Sequence, residues 1–289
     1  MKKGINSWCF PQELTMEEIF KIAKDARFDT IELNMSESIP NESIVSKMGL
    51  HDNCGLTIDI TEAKLEEVKR LSFQYDLPIS SIATALHWTY PLTSINNEQR
   101  KKGMDIAKQM INTCAFLGGD TVLIVPGVVT EENSYERCYE LAKQSLLELA
   151  AFAETKKIVI GVENVWNKFL LSPLEMRQFI DEINHPYVKV YFDAGNVLQH
   201  GFPEQWVRIL GNRIKKIHIK DFRRDIGNIQ GFTSLLEGDM KWSRLMDAIN
   251  DIGYQDELIC ELIPYREDPE QLVYNTSNAM DYIIKSHNK

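Results

Sequence analysis

Apolar residues recur along this chain with two alternating periods. Short runs rich in β-branched residues lie at 3–10, 30–35, 79–86, 121–126, 158–165, 188–193, 216–221 and 258–263. Bounded by turn residues, such runs read as buried strands. Between them, at 16–26, 62–75, 98–117, 135–156, 173–183, 242–252 and 271–285, apolar residues fall three and four apart, the spacing of amphipathic helices. Thr15 and Glu18 have the separation of a capping box, and Ser172-Pro173 sets a cap residue before a first-turn proline. Gly118-Gly119 and Gly253 stand where helices should stop. Strict strand–helix alternation demands a parallel sheet, because every return to the same edge needs a crossover. Eight strands allow that sheet to close, which predicts an α/β fold of the (β/α)8 TIM barrel type. An open doubly wound sheet is the alternative, but no G-x-G-x-x-G follows the first strand. With no linker-like stretch, residues 1–289 are expected to form one domain.

Composition narrows the function. The chain has 289 residues, 44% hydrophobic and 26% charged, as in an ordinary water-soluble enzyme. A formal net charge of -10 works against gripping a phosphate backbone, so no nucleic-acid partner is expected. Five scattered cysteines (Cys9, Cys54, Cys114, Cys138 and Cys260) with no C-x-x-C pair read as reduced, mostly buried thiols. No apolar run approaches the roughly 18 residues of a membrane span, and Met1-Lys2-Lys3 runs straight into a strand. A cytoplasmic protein with no membrane contact is the expectation; homo-oligomer formation is left open.

Barrel enzymes carry their chemistry at the C-terminal ends of strands. At those positions the chain offers Glu163 in G-V-E-N, Asp193 in F-D-A-G-N, His218 in K-I-H-I-K-D and Glu261 in I-C-E-L. Each interrupts an apolar run, and a buried carboxylate must be paired or bound to a metal. A single strand-end glutamate is more often a salt-bridged residue than a ligand, His218 alone could be a core histidine, and Asp193 a turn residue. Four on four consecutive strands change the balance toward a metal site. Three hard oxygen donors and one imidazole suit Mn²⁺ best, with Mg²⁺, Co²⁺ or Zn²⁺ compatible. Glu32 in T-I-E-L-N is a candidate to contact substrate or to orient a neighbouring basic residue, and His87 at the end of the third strand to bond a sugar hydroxyl. Arg223 and Arg224 follow the seventh strand, where a guanidinium could grip a hydroxyl, carboxylate or phosphate. Trp8, Trp88, Trp166 and Trp206 could wall a pocket, and Asn164 and Lys220 could orient ligands, while Asp221 reads as structural.

In this order V-E-N, F-D-A-G-N, H-I-K-D and C-E-L resemble the sugar-phosphate isomerase/epimerase family of xylose-isomerase-like barrels. L-L-E-G-D-M-K-W at 235–242 is similar to that family's closing repeat, and the likeness spans essentially the whole chain. The D-x-G-N form is similar to the pentulose-phosphate 3-epimerases in particular. The resemblance implies one divalent cation on Glu163, Asp193, His218 and Glu261. It also implies that Glu163 and Glu261 exchange a substrate proton through a cis-enediolate, making the chain a sugar or sugar-phosphate isomerase or epimerase. Substrate contacts are expected at Asn196, Arg224, His87 and Glu32. One departure is informative: relatives acting on free ketoses carry a histidine three residues after the strand-six aspartate, where this chain has Asn196. Asparagine can donate a hydrogen bond but cannot act as acid or base, which points to a phosphorylated or cyclic substrate. A metal-dependent dehydratase or lyase on a cyclic polyol or dehydroshikimate-like substrate would use the same site. A DNA-repair endonuclease on this barrel needs a three-metal cluster, and of six histidines only His87 and His218 fall at strand mouths. A non-catalytic sugar-binding protein would be the reading without metal.

Overall fold

In the computed structural model, which describes residues 1–37 and 56–287, eight parallel strands alternate with eight longer helices. In chain order these are β1 (Lys2–Asn6), α1 (Met16–Asp25), β2 (Thr30–Asn34), α2 (Glu62–Gln74), β3 (Ile79–Ala83), α3 (Asn97–Leu117), β4 (Thr121–Ile124) and α4 (Tyr135–Lys156). The second half continues with β5 (Val159–Glu163), α5 (Pro173–Ile183), β6 (Val188–Asp193), α6 (Pro203–Leu210), β7 (Ile214–Ile219), α7 (Trp242–Asp251), β8 (Glu257–Cys260) and α8 (Gln271–His287). Each strand pairs in parallel with the next, and β8 returns to β1 with Ile259 opposite Gly4, so the sheet closes into the expected barrel.

The local signals act as read. Thr15 Oγ1 accepts from the Glu18 amide while Glu18 Oε2 accepts from the Thr15 amide, so two otherwise orphaned donors are satisfied at the start of α1. Ser172 caps α5 ahead of Pro173. At the end of α3, Gly118 takes φ 85°, a left-handed conformation that costs glycine nothing. Most strands are shorter than their apolar runs suggest, and two show why. β1 stops at Asn6, whose side chain accepts from the Trp8 amide at 2.7 Å and starts a tight turn over Ser7–Cys9. β3 stops at Ala83, ahead of a helical turn at Leu86–Thr89. Helix α6 is absent from the sequence reading; it runs only eight residues and opens on Pro203 without a side-chain cap. Its buried face (Trp206, Val207, Leu210) still docks it on the barrel.

Outward-facing Ile31, Leu33, Ile82, Val122, Ile160, Val190, Ile217 and Leu258 join the helices in one apolar core. The barrel's inside is different. His218 on β7 touches Glu32 on β2, three strands away around the ring, which only inward-pointing side chains can do. Lower in the same strand Lys216 meets Glu257 on β8 at 3.0 Å. Cys9, Cys114, Cys138 and Cys260 are buried free thiols, while Cys54 lies outside the described residues. Among the described residues no helix is long and apolar enough to cross a membrane.

The long loop after β7 is wound around one carboxylate. Asp221 is fully buried and accepts from the amides of Phe222, Leu236 and Met240 and from the Trp242 indole. Gly238 lets the chain come this close, since a Cβ there would stand 2.2 Å from Asp221 Oδ1. Removing the acceptor leaves buried N–H groups without partners, each costing about 1–3 kcal/mol. Asp221→Ala is therefore expected to lower unfolding free energy by about 3 kcal/mol or more, read as a fall in the urea midpoint.

Candidate metal centre

Glu163 ends β5, Asp193 ends β6, His218 lies in β7 opposite Asp193, and Glu261 follows β8 by one residue. Their ligand atoms all fall within 4.8 Å of one another at the C-terminal rim. From His218 Nδ1, Glu163 Oε1 is 3.4 Å away, and Asp193 Oδ2 and Glu261 Oε2 are each 3.9 Å away. The structure brings these four expected residues together.

The backbone at the rim is pinned by side chains. Asn164 donates to the Asp193 carbonyl at 2.8 Å and accepts from the Asp193 amide at 2.9 Å, locking the ends of β5 and β6. Asp193 Oδ1 then caps the turn that follows, accepting from the Asn196 amide. In that turn Gly195 lies against β7, where a Cβ would meet Lys220 Cγ at 2.3 Å.

Lys220 reaches into the cluster, 2.7 Å from Asp193 Oδ2, and bonds Glu261. Burial alone would strip its proton, but Asp193, Glu261 and Glu163 together hold it charged. Burial pushes the Glu163 carboxyl up, assisted by Glu261 and Asp193 and opposed by His218. Glu32 behaves oppositely. Burial would raise it, yet His218, Ser81 and Tyr191 outweigh that and hold it at about 2.

Within the cluster, His218 Nδ1 is buried without a hydrogen-bond partner among the described residues, whereas Asp193 Oδ2 is met by Lys220. Buried acceptors aimed at one point, in a set of three carboxylates and one imidazole, fit a hard divalent cation.

Above the cluster opens a cavity of about 660 Å³. Trp8, Trp88, Trp166, Phe232 and Tyr265 form its aromatic walls, whereas Trp206 stacks on Phe192 in the core, 6.2 Å between ring centroids. Several residues expected at the substrate stand elsewhere. His87 is turned away because the chain enters the helical turn after β3, which faces its ring to the Gly103 carbonyl at 3.3 Å. Burial pushes it down to about 4, so it is a neutral core histidine, and its neighbour Trp88 takes the pocket position. Arg224 ties loops together, donating to the Leu198 and Gly201 carbonyls and stacking on Phe202. Arg223 pairs with Asp225 at the surface. Glu32 is completely buried beneath the four ligands instead of facing the cavity. Asn196 does line the cavity, with Nδ2 donating to the Asn164 carbonyl. Arg266, which the sequence reading passed over, lines it too. Its only sequence signal is a lone basic residue five positions past Glu261 in a βα loop.

A closed eight-stranded barrel with its buried polar cluster at the strand ends defines a class of protein. The chain belongs to the xylose isomerase-like TIM barrel family, whose sequence profile matches residues 20–282. Among curated proteins it is similar to SgbU of Haemophilus influenzae, provisionally named an L-ribulose-5-phosphate 3-epimerase. The two are 23% identical over 221 residues, covering 76% of this chain and 73% of that one. It is also similar to the L-ribulose-5-phosphate 3-epimerase UlaE of Escherichia coli K12, 19% identical over 281 residues, with coverage of 97% and 93%. The fold matches that of D-psicose 3-epimerase from Clostridium cellulolyticum H10, solved with D-tagatose, with a TM-score of 0.80 at 15% identity over the full length of both chains.

A ligand that binds only the folded state stabilises it, by about 2.7 kcal/mol at a hundredfold excess over its dissociation constant. Mn²⁺ added to chelator-treated protein should therefore raise the melting temperature by several degrees, and Asp193→Asn should remove most of that rise. Melting curves unmoved by Mn²⁺, Mg²⁺, Co²⁺ and Zn²⁺ alike would speak against the centre.

Proposed function

We propose that the chain is a divalent-metal-dependent epimerase or isomerase of a small ketose or ketose phosphate, working by proton exchange through a cis-enediolate. The observation that carries this reading is the convergence of Glu163, Asp193, His218 and Glu261 on one point beneath the cavity. In this reading all four hold the cation, with Mn²⁺ favoured. When bound, the cation would stabilise negative charge developing on substrate oxygens.

The protein's own groups supply the rest. Glu163 on β5 and Glu261 after β8 stand on either side of the two strands that carry Asp193 and His218. Two carboxylates so placed can serve opposite faces of one substrate carbon, one accepting its proton and the other returning a proton. The aromatic walls offer flat apolar surfaces to the C–H faces of a sugar and keep water from the reacting carbon. Lys220 neutralises Asp193 and Glu261 and holds them in place. The names of the relatives, epimerases of ketoses and ketose phosphates, agree with this chemistry.

The test is solvent exchange. In D2O, wild-type enzyme with Mn²⁺ should introduce deuterium at a carbon beside the carbonyl in at least one member of a panel of free and phosphorylated pentuloses and hexuloses. Glu163→Gln and Glu261→Gln should each slow that exchange by roughly 10²- to 10⁴-fold, followed by proton NMR. Exchange continuing at the wild-type rate in both variants would refute the roles. If the substrate carries a phosphate, Arg266 is the cation placed to meet it. Arg266→Met should then raise KM for the phosphorylated ketose about tenfold with little change in kcat, the signature of lost binding energy.

A further inference from the structure

Glu32 is buried where a carboxylate needs a reason to be. No solvent reaches it, and four groups surround its two oxygens. Asn6 Nδ2 donates to Oε1 at 2.6 Å, Ser81 Oγ to Oε2 at 2.6 Å, and Tyr191 OH to Oε2 at 2.5 Å. The fourth neighbour is His218 Nε2, 2.6 Å from Oε1. The orientation of the Asn6 amide is not free. Its Oδ1 accepts from the Trp8 amide and from Asn34 Nδ2, so its N–H groups must face Glu32. Every partner of Glu32 is thus a donor, and an ionised carboxylate can only accept. The proton on the imidazole must accordingly sit on Nε2. With Nε2 engaged by Glu32, Nδ1 is the nitrogen that faces Glu163, Asp193 and Glu261, and it has no hydrogen-bond partner among the described residues.

The sheet is built to put Glu32 in this position. The register between β2 and β3 shifts between Ile31 and Glu32, so that Glu32 comes opposite Ser81. An irregularity of this kind re-aims one side chain without disturbing the strands around it. Tyr191 lies edge-on to the His218 ring, 4.6 Å between centroids, and bonds Glu32 from the same side.

We propose that Glu32 is the positioning residue of the metal centre: it fixes the ring orientation and tautomer of His218 so that Nδ1 faces the cation, and Asn6, Ser81 and Tyr191 hold Glu32 for that task. This rests on reading the four-residue cluster as a metal site. Glu32 itself touches neither cavity nor substrate. A carboxylate behind a ligating imidazole raises the basicity of the ligand, and removing such a partner weakens metal binding by roughly 10- to 100-fold.

The experiment is calorimetric titration of Mn²⁺ into metal-free wild type, Glu32→Gln and Tyr191→Phe, with circular dichroism and melting curves on each. Glu32→Gln keeps the shape and removes the charge, while Tyr191→Phe keeps the ring and removes one donor to the carboxylate. Glu32→Gln should bind Mn²⁺ about 10- to 100-fold more weakly, with Tyr191→Phe weakened by a smaller factor and still folded. In Mg²⁺-loaded wild type, nitrogen-15 NMR should show His218 protonated at Nε2 and not at Nδ1. A merely structural Glu32 would lower the melting temperature and leave Mn²⁺ affinity of the folded protein at the wild-type value; that outcome overturns the inference and leaves the metal reading standing. Should Glu32→Gln fail to fold, unchanged affinity in Tyr191→Phe overturns it equally. Wild type that takes up no Mn²⁺ overturns both the metal reading and this inference.

Discussion

Charge buried inside the mouth of the barrel is the constraint from which the rest follows. Glu32, Glu163, Asp193 and Glu261 meet there, and among the described residues the basic side chains that face them are His218 and Lys220. An ionised carboxylate taken out of water costs several kcal/mol unless something compensates it. Lys220 compensates Asp193 and Glu261, and donors surround Glu32, yet negative charge remains in excess. A divalent cation would answer that excess, and the unpartnered Nδ1 of His218 lies within reach of Glu163, Asp193 and Glu261. Gathering these charges out of water costs stability. The protein accepts that cost because the apolar core lies elsewhere, between the outer face of the sheet and the helices.

The barrel separates holding from reacting. Toward the N-terminal end of the strands Lys216 sits between Glu257 and Asp120, a closed network with no role in the cavity. At the C-terminal end, small devices fix the reactive side chains: the reciprocal Asn164–Asp193 bonds, the close approach at Gly195, and the loop gathered on Asp221. Asn164, Gly195 and Asp221 do not line the cavity, but each fixes a strand end that carries one of the clustered residues. Positions held to fractions of an ångström are what proton transfer and metal binding both require.

The sequence made the four clustered residues visible because each breaks an apolar run at a strand end, and the eight-fold alternation made the barrel visible. What it hid has specific causes. Glu32 and His87 also stand near strand ends, so position alone made both candidates for a substrate contact. Their true directions depend on a register shift in β2 and on a helical turn after β3, neither of which leaves a mark in hydrophobic period. Arg224 has the charge for a substrate contact, but the carbonyls of Leu198 and Gly201 come from a different loop and claim it first. Arg266 was hidden for the opposite reason: it carries no motif, and only the folded loop brings it to the cavity. Helix α6, at eight residues, gives too few turns for its period to stand out between β6 and β7.

This division also accounts for how a fold can persist while residues change. Full-length likeness at a TM-score of 0.80 accompanies only 15% identity to the D-psicose 3-epimerase structure. A barrel asks of most positions only that outward residues be apolar and helices amphipathic, demands that many sequences meet. A buried carboxylate under an imidazole asks far more. Changing Glu32 alone would leave Asn6, Ser81 and Tyr191 facing an empty acceptor position, and changing any of those three would leave Glu32 short of a donor. The group must be kept or replaced together. The cavity walls are joined less strictly, by ring contacts such as Trp166 on Phe232, 5.2 Å between centroids, that another residue of similar shape would keep. Divergence in substrate is therefore expected at the rim, above a floor whose members hold one another in place.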